Sequence, residues 1–362
     1  MDALNGETYI KEVQGQIRDL LTNYRSALYQ NVYGFDTTTT SMHAMFFPSE
    51  QLSFPTDFAR YDKLMRGNVP NRFINRLKQS GFFTQYYTND CYGHLNSSLP
   101  LSDFDSRVAL EANLFDFTKV IRLQHKSDNF LYLHEMLLHD KLGQYIIDSR
   151  FSSEEYKSFT KLLTKNILKT LTFLLESSEI DHIVILSDHG MTINKDSENN
   201  DKIVPEFYAL GDFKSKVFIE VFSRSREKNT THDEIITLLN FQDVLNKEIF
   251  EVAVNTFKKN ITYLCEPSAR KNIFDLKLNT FVHRDVDKIY AIQILGKTKR
   301  ELTLTKDLKI ESDTIDDESI RLFLLNIINS RRMQLSLSKI LGTMTNVYSI
   351  IKNKLHHRML RK

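Results

Sequence analysis

The stretch HIVILSDHG, His182 to Gly190, runs four apolar residues into Ser187 and then sets an aspartate, a histidine and a glycine side by side. A short apolar run rich in β-branched residues and bounded by polar residues and glycine reads as a buried strand. In an open α/β sheet, ligands bind beyond the carboxyl ends of the strands, and Asp188 and His189 stand at such an end. A carboxylate oxygen and a neutral imidazole nitrogen are both good donors to a divalent metal, and Gly190 lets the backbone turn sharply beside them. The plainer reading is a polar turn that closes a strand, and three residues do not separate the two.

The segments around this strand alternate. Upstream, "DNFLYLHEML" offers a buried strand at Phe130 to Leu133, and "SSEEYKSFTKLLTKNILKTLTFLLESS" is a long helical pattern with Ser152 or Ser153 as its cap and acids in its first turn. Downstream, "KVFIEVFSRS" reads as a strand and "HDEIITLLNFQDVLNKEIF" as a helix. Nearer the start, "NRFINRLKQSGFFTQYYTND" reads as a helix closed by Gly81 and then a strand. Residues 7–30 place Ile10, Val13, Ile17, Leu20, Leu21 and Tyr24 at helical spacing and predict one amphipathic helix. Strand, helix, strand in this order predicts an α/β fold with a largely parallel central sheet covered by helices on both faces. From about residue 280 short β-like runs and the acidic "ESDTIDDE" give way to a helical, basic tail. The expected organisation is a main domain over 1–279 and a C-terminal subdomain over 280–362, a small sheet with a helical tail.

Composition leaves room for an enzyme and excludes several other classes. A chain of 362 residues, 41% hydrophobic and 26% charged, with a formal charge of +2, has the make-up of a globular protein and no demand for nucleic acid. Two cysteines, Cys91 and Cys265, are too few for a disulfide framework and lack metal-ligand spacing. No run approaches the ~18 apolar residues of a membrane span, and the first residues lack the basic-then-apolar pattern of a signal peptide. As written it reads as cytoplasmic or peripheral to a membrane. The peripheral option comes from the tail, where "LSKILGTMTNVYSIIKNKLHHRMLRK" interleaves basic and apolar residues as a helix on an anionic membrane surface does. The other reading of the tail is a docked terminal helix with a solvated basic face.

"SDHG" after an apolar strand resembles the metal-binding signature of the alkaline phosphatase/sulfatase-like superfamily, and three further segments match that pattern in order. The opening "MDALNGETYI" is similar to the end of the family's first strand, which makes Asp2 a metal ligand. The apolar strand that should precede it is missing, which suggests an internal start codon or a truncated product. "FDTTTTSMHAMFFPSE" resembles the nucleophile segment, in which a Thr, Ser or Cys precedes a basic residue by four. Matching His43 to the basic, substrate-binding position puts the nucleophile, also a metal ligand, at Thr39. The threonine run leaves Thr38 and Thr40 open as alternatives.

The third match is "FLYLHEMLLHDKLGQY". Here His134 and His139 fit the family's histidines, and Leu137 stands where it carries an aspartate. That departure implies a site for one divalent ion, whether manganese, zinc, magnesium or calcium, held by Asp2, Thr39, Asp188 and His189. His139 would serve as the catalytic acid or hold anionic oxygens, and His134 would bind substrate. A zinc-protease reading of the same stretch fails. His134 and His139 are five apart, and on a helix they would face roughly 140° away from each other.

The reaction follows from the nucleophile type. No Cys-x-Pro-x-Arg occurs, so the formylglycine chemistry of sulfatases is disfavoured. A threonine instead resembles the phosphotransferase and phosphodiesterase branches, with a phosphorylated or lipid-linked glycan of the cell envelope or capsule as the implied substrate. Two alternatives stand beside it, a sulfatase-like ester hydrolase and a non-catalytic member that keeps the fold as a binding or assembly protein.

Overall fold

A computed structural model describes residues 1, 3–35, 38–47, 70–89, 103–110, 116–124, 127–138, 141, 153–190, 216–254, 256–257, 259–265, 278–295, 298–305 and 310–329. The chain opens with a helical stretch in three pieces: α1 (Gly6–Thr8), a π-helical turn Tyr9–Val13, and α2 (Gln14–Leu20). Asn5 starts it, its Oδ1 accepting from the backbone N–H groups of Glu7 and Thr8 at 2.8 and 3.3 Å. The helix predicted over residues 7–30 ends early. Arg25–Tyr33 is instead the first strand, β1. Its neighbours decide this, since β6 hydrogen-bonds one edge and the short β7 and β8 the other. Such tertiary pairing outweighs a local preference of a few tenths of a kcal/mol per residue.

After β1 come α3 (Thr38–Phe46), α4 (Arg72–Gln79), β2 (Phe83–Thr88), β3 (Ser106–Ala109) and β4 (Asn129–His134). The long α5 (Ser153–Ser177), β5 (His182–Leu186), β6 (Lys216–Ser223), β7 (Thr230–His232), β8 (Ile236–Thr237) and α6 (Phe241–Glu248) follow. Gly81, at φ 92°, closes α4 in the left-handed turn that only glycine adopts at low cost. The helix predicted from "HDEIITLLNFQDVLNKEIF" starts late, because Ile236 and Thr237 pair with Val32 and Tyr33 as strand β8.

The strands up to β8 form two sheets. The first has the order β5-β6-β1-β7, with β8 also on β1; the second is the all-parallel β3-β2-β4. In the first, β6 runs antiparallel to both β5 and β1, so the sheet is mixed. Side-chain alternation along β6 divides the core. Val217, Ile219 and Val221 join α3, α4 and α6 on one face, whereas Phe218 and Phe222 join α5 and the N-terminal helices on the other. Burying each such side chain contributes roughly 1.5–3 kcal/mol.

Glu220 points to the second face and is fully buried. The i→i+5 turn stacks Gln14 over Tyr9, and both reach Glu220 Oε2, with Tyr9 Oη at 2.6 Å and Gln14 Nε2 at 3.0 Å. Arg18 and Ser26 fill Oε1 at 2.7 Å each.

The C-terminal sheet is a meander of β9 (Ile261–Cys265), β10 (Leu278–Arg284), β11 (Lys288–Leu295), β12 (Thr298–Thr305) and β13 (Ile310–Ser312), antiparallel throughout. One face, through Val282, Ala291 and Leu302, belongs to the same core as β1 and α3. The other packs Phe281 and Ile292 on the helix at 318–329 through Leu324, Ile327 and Ile328. Among the described residues no helix is long and apolar enough to cross a membrane. The basic tail beyond 329 lies outside the described residues.

Candidate metal and nucleophile site

The site forms where β5 ends. Ser187 turns the chain, its hydroxyl donating to His189 O at 2.9 Å and accepting from Leu4 N–H at 3.2 Å. Asp188 Oδ1 accepts from its neighbour's N–H, His189, at 2.9 Å and from Ala3 N–H at 3.4 Å. Asp188 Oδ2 is buried and finds no hydrogen-bond partner among the described residues. It lies 3.6 Å from His189 Nε2. On the other side of the ring, His189 Nδ1 is 2.7 Å from Gly190 O, an acceptor only, so Nδ1 carries the proton. In the neutral ring Nε2 is then an acceptor, and it faces a second acceptor across 3.6 Å.

A carboxylate oxygen and a ring nitrogen at that separation are spaced as two ligands of one cation would be. Ligands at ~2.0–2.2 Å from a tetrahedral ion sit roughly 3.4 Å apart, close to the separation found here. The donor set, one carboxylate oxygen and one imidazole, suits a borderline or hard divalent ion. Among the described residues no group of three or more His, Cys, Asp or Glu side chains is placed to hold a metal ion.

Thr38 completes the near side. Its Oγ1 is 3.0 Å from His189 Nε2, the hydroxyl donating to the ring. It opens α3, whose first N–H groups lack intrahelical partners and favour an anion. The helix is pinned by Ser41, which donates from its hydroxyl to Asp188 O at 2.8 Å and accepts from Phe35 N–H at 3.2 Å. Gly34 makes that approach feasible, because a Cβ there would stand 2.4 Å from Asp188 O. The threonine in contact with His189 is thus the one before Thr39. Thr39 lies in the same first turn, and its side chain, with those of Thr40 and His43, is outside the description.

The N-terminal stretch runs beside the same strand end. Met1 N donates to Leu186 O at 2.8 Å, and Ala3 N–H reaches Asp188, so both sequence neighbours of Asp2 are fixed on residues 186–188. Asp2 itself lies outside the described residues. Ala3 holds φ 61°, a left-handed conformation that costs an alanine roughly 1–2 kcal/mol. It is clamped by Tyr156 of α5, whose hydroxyl donates to Ala3 O and accepts from Asn5 N–H, both at 3.0 Å. Burial pushes the Tyr156 hydroxyl well up, which keeps it protonated for that bond.

The third predicted segment is present in part. His134 ends β4 and is buried. Glu135 beside it accepts from Asn89 Nδ2 at 2.6 Å and from Leu137 N–H at 3.0 Å. Leu137 is fully buried and packs with Ala3, Leu4 and Ile185. Where the family pattern carries an acid, this chain has a core contact. His139 lies outside the described residues. Ser41, Gly34 and Tyr156 were not legible as site residues. Each acts by holding backbone, and the only hint was a glycine directly after an apolar strand.

Comparison of the fold places the chain among known structures. It is similar to a phosphonate monoester hydrolase from Silicibacter pomeroyi, at 9% identity and a TM-score of 0.53, covering 95% of this chain and 94% of that one. A yidJ protein of Bacteroides fragilis with a provisional sulfatase name gives 12%, 0.52, 92% and 91%. The lipoteichoic acid synthase LtaP of Listeria monocytogenes gives 10%, 0.50, 94% and 90%. No family model and no curated protein matches the sequence. The fold is that of the alkaline phosphatase/sulfatase-like superfamily. Within it, the similar structures carry names of both phosphorus-ester and sulfate-ester chemistry.

Proposed function

We propose that the chain is a metal-dependent hydrolase or transferase of phosphoesters that uses a threonine at the start of α3 as its nucleophile. The supporting observation is the triangle of Asp188 Oδ2, His189 Nε2 and Thr38 Oγ1, with 3.6 Å between the first two and 3.0 Å between the last two. Asp188 and His189 would hold a divalent cation, which would supply Lewis-acid stabilisation and lower the pKa of the threonine hydroxyl.

The chain's own residues account for the remainder. The helix start and the threonine hydroxyl receive the phosphoryl oxygens. The threonine oxygen attacks phosphorus as its proton passes to solvent water, the bond to the leaving alcohol breaks with its electron pair on the alcohol oxygen, and His139 supplies the proton to that oxygen. An acceptor hydroxyl or water, giving its own proton to His139, then attacks the phosphothreonine, and the threonine oxygen leaves with the bonding pair and is reprotonated from solvent. His134 and His43 bind substrate oxygens, and Asp2 adds a ligand to the cation. The substrate class is a phosphorylated or lipid-linked glycan, with the basic tail resting on the membrane surface. Support for phosphorus over sulfur is the threonine itself and the lack of a Cys-x-Pro-x-Arg.

Hydrolysis of an aryl phosphodiester and of an aryl sulfate should be measured for the wild type, Thr38→Ala and Thr39→Ala. Phosphodiester turnover lost in one threonine variant, with phosphothreonine trapped at that position in the wild type, is expected. Sulfate turnover alone, or phosphodiester turnover that survives both substitutions, removes the reading.

A further inference from the structure

The two sheets up to β8 leave two strand edges open beside each other. Among the described residues, β5 is paired only by β6 and β4 only by β2. Both strands run to the same place, since Leu137, just past the end of β4, shares a core with Ile185 of β5 and with Ala3 and Leu4. They also rest on one stretch of α5. Leu171 and Leu175 join the core of Ile183 and Ile185, whereas Leu174 joins that of Leu131 and Leu133. A helix is ~10–12 Å across, so strands that flank one turn of it stand roughly 10 Å apart, which is two strand spacings and leaves room for one strand.

Burial and backbone direction agree on this gap. β2 beyond Phe83 and β6 beyond Lys216 are buried throughout, as strands with helices on both faces are, but Phe130 to Leu133 and His182 to Val184 are only partly buried. Ser187 N–H donates to Phe218 O of β6 at 3.4 Å, and Phe83 N–H of β2 donates to Asp128 O at 2.8 Å. Backbone groups alternate in direction along a strand, so those of Val184 and Leu186, and those of Leu131 and Leu133, turn away from the one partner strand and toward the gap. Leu186 O there already receives the Met1 amine at 2.8 Å, as a ladder carbonyl receives an N–H from the next strand. The lining is apolar on both faces. Phe130, Tyr132 and Val184 pack on the core that holds α3 and α4, and Leu131, Leu133 and Ile183 pack on the cores that hold α5.

We infer that the gap is a strand-acceptor slot, filled by an extended apolar segment that runs parallel to β4 and β5 and is joined through its carboxyl end to Met1. The five residues of β5 and the six of β4 set its length. Apolar cores on both faces call for a continuous run of Val, Ile or Leu rather than an alternating one. Met1 sets the direction and the source: its nitrogen already holds the ladder position at Leu186 O, a peptide bond would keep an N–H there, and the residue before it would continue along the slot. Such a strand pairs both open edges, whose backbone groups otherwise lack a ladder and invite foreign strands. Filling the slot requires neither a cation at Asp188 nor the phosphoester chemistry proposed there.

Amide hydrogen exchange should be followed by NMR in the 362-residue chain and in the same chain extended before Met1 by one lysine and a short run of valine and isoleucine that matches β4 in length. In the unextended chain the amides of Leu131, Leu133 and Val184 should exchange on the order of tenfold or more faster than that of Ile185, which pairs with β6. The extension should slow those three amides by on the order of tenfold and raise the melting temperature. A proline at its centre, which removes a ladder N–H, should abolish both effects. An apolar extension that changes neither the exchange nor the melting temperature overturns the slot, and so does protection equal to that of Ile185 before any extension is made. The same segment added as a free peptide tests the source, and protection at equimolar peptide would assign the strand to a separate polypeptide and overturn its junction with Met1. If the unextended chain does not fold to a soluble form, the apolar and proline extensions are compared with each other, and equal exchange in the two overturns the assignment.

Discussion

Two buried carboxylates sit within a few residues of each other in the first sheet and are treated in opposite ways. Glu220, opposite Ile185 in the β5–β6 register, has both oxygens filled by Tyr9, Gln14, Arg18 and Ser26. Asp188, two residues past the end of β5, has one oxygen filled by backbone N–H groups and the other, beside His189 Nε2, without a hydrogen-bond partner among the described residues. A buried charge costs several kcal/mol unless its partners are supplied. At Glu220 the fold supplies them all, so the group ties the N-terminal helix to the sheet. At Asp188 one oxygen has no hydrogen-bond partner among the described residues, and the proposed cation would supply it.

The comparison is tested most severely by removing each carboxylate in turn. Glu220→Ala strands the Arg18 guanidinium and three neutral donors, and should cost about 3–5 kcal/mol of unfolding free energy, read from the urea midpoint. Asp188→Asn should do the reverse. Its amide can donate where the carboxylate could only accept, so the midpoint should hold or rise. Bound divalent metal, measured by elemental analysis, should be lost, and turnover should fall on the order of 100-fold, about 2.7 kcal/mol. If Asp188→Asn were as destabilising as Glu220→Ala, Asp188 would be a structural group and the contrast would collapse.

The sequence carried much of this, unevenly. β5, β6, α4 and α5 were legible, because long periodic segments with caps and a terminal glycine signal their own type. β1 was not. Its Leu28 and Tyr29 continue the helical spacing of Ile17 and Tyr24, and only pairing to β6 and β7 makes it a strand. The antiparallel course of β6 was equally hidden, since alternation of strand and helix says nothing about direction. At the candidate site, Asp188 and His189 stood out in the sequence because an acid and an imidazole directly follow an apolar strand. The threonine register could not be read from the sequence, because four identical neighbours carry no local signal; Ser41, which donates to Asp188 O, helps set where α3 begins relative to β5.

That hold gives a smaller, sharper test. Gly34→Ala places a Cβ 2.4 Å from Asp188 O and 3.2 Å from Leu238 Cδ1. The nearer clash is with backbone, which cannot swing away as a side-chain end can, so the strand end must shift. Overpacking of this kind costs about 1–3 kcal/mol. Glu220 contacts none of the atoms involved, so its network should be untouched. The expected signature is a lowered melting temperature together with weakened metal affinity, measured by competition with a chelator. Stability lost with metal affinity intact would mean that Asp188 is placed by something other than this close approach.

The smallest effect is a pH dependence at the far end of the sheet, where Glu248 resembles Glu220 more than Asp188. Burial pushes the Glu248 carboxyl up, but the hydrogen bonds from Tyr29 and Arg226 and the Arg226 charge outweigh it, and the group lies below the ordinary carboxylate range. A folded pKa depressed below the unfolded one means that the unfolded chain binds the proton more readily. The stability that Glu248 contributes is therefore complete above the unfolded value near 4.5 and is lost as pH falls through the lower folded value. Urea midpoints followed from pH 7 downward should drop over that interval, and the drop should be shallower in Glu248→Gln. A Glu248→Gln protein with the wild-type slope would show that this carboxylate is not held by Tyr29 and Arg226.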